Sequence, residues 1–391
     1  MNFKRLLKMD LPKGQSAFLW GARKTGKSTY LAQHFPHSVQ YDLLKTDEQV
    51  RLLAAPWLLR EELLALSPEK LKHPVIIDEI QKVPALLNEV HWLIENKKAG
   101  FILCGSSARK LKRGAANLLG GRAWRFHFYP LVYPEVPDLD LLRVFKHGLL
   151  PANYLSSRPE RMLRAYVSDY LTEEIQAEGL VRNLPGFARF MELVGYTNGQ
   201  MLNFANIARD VGVDAKTIKE YYQILVDTLI AYYVEPFNKK VKRDLIQSVP
   251  KFYLFDVGVA SYLRHTQITL LKGVEAGASF EHFILTELKA YLGLNELDVP
   301  LNYWRSKSGL EVDFVLGGGK IAIETKISTN VDLSDLKGLA AFCEDYQPDH
   351  ALVVCLAPRK RIITKIGKTS VEILPWKDFM ESLWSGKYKF D

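Results

Sequence analysis

Along residues 1–150, short apolar runs alternate with stretches whose apolar residues recur at helical spacing. The runs lie near 16–20, 38–42, 74–78, 101–105 and 125–129. Continuous apolar strands separated by helices predict a parallel sheet covered on both faces, with a ligand at the strands' carboxyl ends. From Arg158 to Asp227 the period is helical, and Leu163, Tyr166, Tyr170 and Ile175 fall near one face. Within that region Phe204 to Arg209 reads as a short helix and Val211-Gly212-Val213 as a turn. The next helix opens on Asp214 as its N-cap. Two helices joined by a glycine-containing turn match a helix-turn-helix, and the apolar "LIAYYVEPF" after them reads as a wing strand. In the last third, "GLEVDFVLGGGKIAIETK", Gly309 to Lys326, sets two apolar runs around three glycines and predicts a hairpin.

The chemistry begins at the first run. "SAFLW" leads into Gly21-Ala22-Arg23-Lys24-Thr25-Gly26-Lys27-Ser28, with Thr29 following, and then a helical pattern. Strand, G-x-x-x-x-G-K-[ST] and helix, in that order, are what a phosphate-binding loop requires. The glycines let backbone N–H groups surround phosphate oxygens, Lys27 reaches the outer phosphates, and Ser28 offers its hydroxyl to Mg²⁺. "HPVIIDEIQKVP" ends a buried-type strand in Asp78-Glu79. Asp78 is expected to hold Mg²⁺ through water, and Glu79 to orient or deprotonate the attacking water. "GFILCGSS" ends a third strand at Ser106 and Ser107, either sensors of the terminal phosphate or plain loop serines. Arg122, after a glycine pair, is either an arginine finger reaching a neighbouring subunit of a homo-oligomer or a surface or sheet-packing arginine.

Composition adds bounds. A 391-residue chain with 48% hydrophobic and 25% charged residues predicts two or three folded domains. The net charge of +8 is compatible with an anionic partner. Lys216, Thr217 and Lys219 start the second helix of the helix-turn-helix, where such helices meet DNA. Lys239, Lys240, Lys242 and Arg243 form a basic run suited to phosphates, and DNA is the expected partner. Three cysteines without a CxxC pair argue against a disulfide or zinc framework. No apolar run approaches the roughly 18 residues of a membrane span, so a cytoplasmic location is expected.

The hairpin carries unusual charges. With the turn at 317–320, Leu316 pairs with Ile321, Asp313 faces Glu324, and Glu311 faces Lys326. Alternation gathers Glu311, Asp313, Val315, Ala322, Glu324 and Lys326 on one face and leaves Val312, Phe314, Leu316, Ile321, Ile323 and Ile327 on the other. Like charges directly opposite repel, so either Mg²⁺ or Mn²⁺ bridges Asp313 and Glu324 while Lys326 steers a water, or a bulge offsets the pair on a solvated face.

Asp313, a ten-residue spacer and Glu324-Thr325-Lys326 resemble the PD-(D/E)xK nuclease superfamily. The resemblance implies a further glutamate on a preceding helix, which "GASFEHFILTELKAYL" supplies as Glu281, with Glu287 as a second candidate. More widely, "GARKTGKST", "VIIDEIQKVP", "CGSSARKL", "LLGGR", "YPLVYPE", "FYLFDVGVASYL", "GASFEHF" and "YWRSKSGLEVDFVL" together resemble a family of prokaryotic AAA+-like ATPases. That family has a helix-turn-helix middle and a C-terminal nuclease-like domain. The resemblance spans nearly the whole chain. It implies an α/β fold in three parts: a P-loop NTPase core at 1–150, a helical winged-helix-like domain at 151–248, and a restriction-endonuclease-like α/β domain at 249–391. The expected function is ATP binding and hydrolysis in a protein acting on DNA, with a Mg²⁺-dependent nuclease site. The alternative is an ATP-gated DNA- or protein-binding switch whose nuclease fold is inactive.

Overall fold

Apolar strands covered on both faces dominate the amino-terminal third. In the computed structural model, which describes residues 3–107, 119–171, 183–239, 244–246 and 248–390, they form one parallel sheet. The strands are β1 (Ser16–Trp20), β2 (Gln40–Asp42), β3 (Val75–Asp78), β4 (Phe101–Gly105) and β5 (Ala123–His127), in the order β2-β3-β4-β1-β5. Every residue of β1 and β4 is buried, as expected for central parallel strands. β5 starts two residues earlier than its apolar run suggests, because its pairing with β1 extends from Ser16↔Ala123 to Trp20↔His127. One compact unit contains residues 2–131 together with 224–230. Its core joins Phe18, Ile77, Leu103 and Val90 of the Leu86–Lys97 helix.

The second unit contains residues 132–223 and 231–391, so the first division falls ahead of the expected 150/151. Its helix-turn-helix follows from local capping. Asn203 caps Phe204–Val211, Gly212 ends that helix at φ +75°, and Asp214 accepts the Thr217 N–H at 2.9 Å to open Ala215–Asp227. Phe187, Phe190, Phe204, Tyr221 and Tyr222 interlock behind these helices, and Tyr222 stacks edge-on against Phe252. β6 (Gln200–Met201) and β7 (Ala231–Pro236) flank β8 (Lys251–Leu254), both antiparallel to it.

The remaining strands are β9 (Asn302–Arg305), β10 (Glu311–Leu316), β11 (Ile321–Lys326), β12 (His350–Cys355), β13 (Arg361–Ile366) and β14 (Thr369–Pro375). β7 pairs in parallel with β9, so β6 to β14 make one nine-stranded mixed sheet. The division expected at 248/249 thus falls between β7 and β8, neighbours in that sheet.

The hairpin keeps the expected register from Leu316↔Ile321 to Phe314↔Ile323. Gly317, Gly318 and Gly319 all adopt positive φ, which explains three glycines at this turn. Beyond Phe314 the expected alternation fails. The register against β9 shifts between Val312 and Val315, and Val312 joins Val315 and Ala322 in one apolar cluster with Trp304 and Phe342. A bulge of this kind moves side chains to the other face.

Candidate functional site

The phosphate loop connects β1 to the Lys27–His34 helix. Gly26 has φ +101°, which favours glycine, and Lys24 also turns through positive φ. At Gly21 a Cβ would overlap the Phe128 carbonyl. Thr25 is buried and donates to the Ala22 carbonyl at 2.7 Å. Lys27 is buried, and its Nζ donates to the carbonyls of Gly21 and Ala22 at 2.7 and 3.0 Å. Ser28 Oγ donates to Asp78 Oδ2 at 2.7 Å, so hydroxyl and carboxylate from two elements meet at one point. Thr29, next on the helix, is exposed. This donor set fits a magnesium–nucleotide: a loop opened by glycine, a helix N-terminus, an ammonium, and a Ser–Asp pair for the ion.

Glu79 is buried behind this loop with φ +57°. Its Oε2 accepts from Ser106 Oγ at 3.0 Å and from Gln81 Nε2, while Arg23 Nε lies 3.4 Å from Oε1. Gln81 Nε2 also reaches Ser106 Oγ at 3.0 Å. Gly105 makes room: a Cβ there would sit 2.6 Å from Gln81 Oε1. Ser106 therefore contacts the acid; Ser107 is buried beside it in the chain. Gln81, two residues past the acidic pair in "DEIQ", escaped the sequence reading; a polar residue in an otherwise apolar buried turn was the available signal. Arg122 pairs with Glu95 on the surface of its own unit, and its Nη1 approaches the Leu119 carbonyl at 3.5 Å.

The second cluster lies in the nine-stranded sheet. Asp313 and Glu324 are both buried. Asp313 Oδ2 accepts from the Thr325 N–H at 2.8 Å and Thr325 Oγ1 at 2.7 Å, where the expected register had Asp313 squarely opposite Glu324. Glu324 Oε1 accepts from Lys326 Nζ at 2.7 Å; its Oε2 is buried with no hydrogen-bond partner. Glu311 does not face Lys326. It pairs with Arg305 of β9 and lies 2.5 Å from Lys251 Nζ. Lys251 Nζ also lies 3.0 Å from Glu281 Oε1, which accepts from Tyr253 OH at 2.5 Å. The Val274–Leu294 helix thus delivers Glu281 to the cluster, and His282 secures that helix by hydrogen-bonding the Leu254 carbonyl at 2.6 Å.

Burial, with Glu324 and Glu281 nearby, pushes the Asp313 carboxyl well above the usual aspartate range. Burial raises Glu324 as well, against the pull of Lys326. For Lys251 burial acts downward, but Glu281, Tyr253 and Glu311 outweigh it and hold the ammonium protonated. Lys251 pairs with Glu281 and Glu311, Arg305 with Glu311, and Lys326 with Glu324. Among the described residues no three His, Cys, Asp or Glu side chains are arranged to hold a metal ion. The oxygen donors suit a hard cation, but their present arrangement does not. Lys251 and Tyr253 went unnoticed in the sequence, although a lone lysine heading the apolar "KFYLF" was the signal.

Glu287, the second helical candidate, lies outside the cluster. Its two oxygens accept the Tyr133 N–H at 2.9 Å and Trp384 Nε1–H at 2.8 Å, and burial raises its pKa to about 8. On the helix-turn-helix, Lys216 and Lys219 are exposed; Thr217 Oγ1 donates to Asp214 at 2.6 Å, and Lys219 Nζ lies 5.3 Å from the centre of the Phe204 ring. Lys239 is exposed, while Lys240, Lys242 and Arg243 lie outside the described residues. The three cysteines are free and buried. Among the described residues no helix is long and apolar enough to cross a membrane.

Comparison with known proteins bears on the first site. Residues 13–136 match the family model described as an AAA domain. Residues 139–270 and 276–379 match two models, each described as a domain of unknown function (DUF8612 and DUF4143). An uncharacterized protein of Mycobacterium bovis and one of Mycobacterium tuberculosis are each 25% identical to this chain over 339 residues, covering 84% of it and 74% of their own length. Among solved structures, the Aeropyrum pernix Orc1 protein in complex with DNA is 13% identical, with 64% of this chain and 86% of that one covered. Its TM-score of 0.28 is too low to carry an argument. The AAA match and the loop geometry together support an AAA+-like P-loop ATPase core in residues 13–136.

Proposed function

We propose that this chain hydrolyses ATP and uses the cycle to engage DNA through its helix-turn-helix region. The observation that carries the ATPase half is the 2.7 Å contact between Ser28 Oγ and Asp78 Oδ2, with Glu79 next in the chain. Ser28 and Asp78 would hold magnesium, which when bound supplies charge neutralisation at the outer phosphates. Lys27 exchanges the carbonyls of Gly21 and Ala22 for phosphate oxygens. Glu79 accepts the proton of the attacking water, and Ser106 and Gln81 set its carboxylate. Arg122 remains a candidate finger toward a second copy. DNA contact rests on exposed Lys216 and Lys219 at the start of the second helix and on Lys239.

The test is ATP turnover by the full chain with and without duplex DNA, together with fluorescence anisotropy of a labelled duplex. Lys216→Glu with Lys219→Glu is expected to weaken DNA about tenfold and flatten its salt dependence, with basal ATP turnover intact. Anisotropy unchanged by the double replacement would remove DNA contact from this helix.

A nuclease role for the second cluster is favoured by one observation: Asp313, Glu324, Lys326 and Glu281 share a charged cluster. That reading expects cleavage of linear, branched or single-stranded DNA with Mg²⁺ or Mn²⁺, lost in Asp313→Ala while ATP turnover persists. The binding-switch reading expects no cleavage by the intact protein. It also expects unchanged function in cells when Asp313, Glu324 and Lys326 are replaced together.

A further inference from the structure

The acidic cluster already contains a cation, and it comes from outside the D-x(10)-E-x-K pattern. Lys251 begins β8, is 4% exposed, and bridges Glu281 of the Val274–Leu294 helix to Glu311 of β10 at 3.0 and 2.5 Å. Its neighbour along the same strand face, Tyr253, donates to the same oxygen of Glu281. An ammonium placed between carboxylates of two elements takes the position where those oxygens would otherwise converge on a metal. A second observation points to a ligand: one oxygen of Glu324, in the same buried cluster, has no hydrogen-bond partner.

We infer that Lys251 is a built-in counter-cation that competes with a divalent metal ion for Glu281 and Glu311, so that the cluster accepts the ion only when the ammonium withdraws. This rests on reading the cluster as a cation-dependent site. The placement of Lys251 gives the withdrawal a handle. β8 is the strand between β6 and β7, paired at Met201↔Lys251 and Val234↔Lys251, and these flank the helix-turn-helix. A partner that shifts the helix-turn-helix sheet therefore shifts the ammonium. A hard divalent ion then replaces one unit charge with two, as the oxygens of Glu281 and Glu311 close on the position the ammonium leaves.

The experiment titrates Mn²⁺ into the full-length protein and reads free Mn²⁺ by electron paramagnetic resonance. Lys251→Met is expected to bind one equivalent about tenfold or more tightly than the wild type, since a unit charge within hydrogen-bond distance is removed. Adding Glu281→Gln to it abolishes the gain. A folded Lys251→Met, judged by circular dichroism, that binds Mn²⁺ no more tightly overturns the inference. Where the variant does not fold, the wild type decides. Reductive methylation of Lys251, quantified by mass spectrometry, rises when millimolar Mg²⁺ expels the ammonium, and labelling unchanged by Mg²⁺ overturns the inference. The two readings fail separately. Tight Mn²⁺ binding by Lys251→Met with no DNA cleavage ends the nuclease reading alone. Cleavage by the wild type with Lys251 labelling indifferent to Mg²⁺ ends the counter-cation alone.

Discussion

Glu79→Gln lowers the ATP turnover number about 100-fold or more and leaves nucleotide affinity nearly unchanged. General-base catalysis is worth roughly 10²–10⁴-fold, and Glu79 is the carboxylate directly after the Asp78 that meets Ser28. Glutamine preserves the shape and keeps an oxygen for Ser106 and Gln81, so the loss reports the proton acceptor and not a collapse of the site. The backbone supports the same view. Glu79 sits at φ +57°, a conformation that costs a non-glycine residue about 1–2 kcal/mol. Its side chain is held by Gln81, Ser106 and Arg23. A buried carboxylate aimed by three groups at a phosphate loop is costly without a task. Steady-state hydrolysis and nucleotide titration on the same preparations separate the two quantities. A variant that turns over ATP at more than a tenth of the wild-type rate would move the base elsewhere, and one that lost nucleotide affinity equally would make Glu79 a binding residue.

The phosphate loop was legible because its chemistry is contiguous: the loop's turn, lysine and hydroxyl occupy eight successive residues, and a strand and a helix must flank them. The hairpin register was legible for a similar reason, since Gly317, Gly318 and Gly319 locate the turn and pairing follows from it. What the sequence hid depends on distant segments meeting. Lys251 lies 30 residues from Glu281 and 60 from Glu311 along the chain, and no periodicity links them. The bulge between Val312 and Val315 arises against β9 and is invisible in β10 alone. Around it Asp313 accepts from Thr325, Glu324 accepts from Lys326, and Lys251 brings a further charge from outside the hairpin. Glu281 and Glu287 could not be ranked from sequence either. Six residues apart on a helix is about 240° of rotation, so they serve different neighbours, one the charged cluster and the other Tyr133 and Trp384.

Two glycine-to-alanine replacements on helices of the second unit are expected to move stability in opposite directions. Gly338 is the second residue of the Lys337–Tyr346 helix, and a Cβ there would overlap the backbone carbonyl of Glu311. The obstacle is main chain of a paired strand, so no rotamer relieves it. Overpacking of this kind costs about 3 kcal/mol, while alanine's better helix propensity returns about 1. The net loss is about 2 kcal/mol, which in a unit of this size lowers Tm by about 4–8 °C. Gly277 is the contrast. It lies inside the Val274–Leu294 helix, and its added Cβ meets only Ile327 Cγ2 at 3.5 Å, an ordinary contact. Gly277→Ala should therefore be neutral or stabilise by up to about 1 kcal/mol. Calorimetry on the two variants checks the signs. The same pair bears on the charged cluster, because the backbone that Gly338→Ala displaces is that of Glu311, one of the two carboxylates holding Lys251. Methylation of Lys251 should rise in Gly338→Ala and stay at the wild-type level in Gly277→Ala. If both variants melt together, the close approach of this helix to β10 is not what holds Glu311 in place.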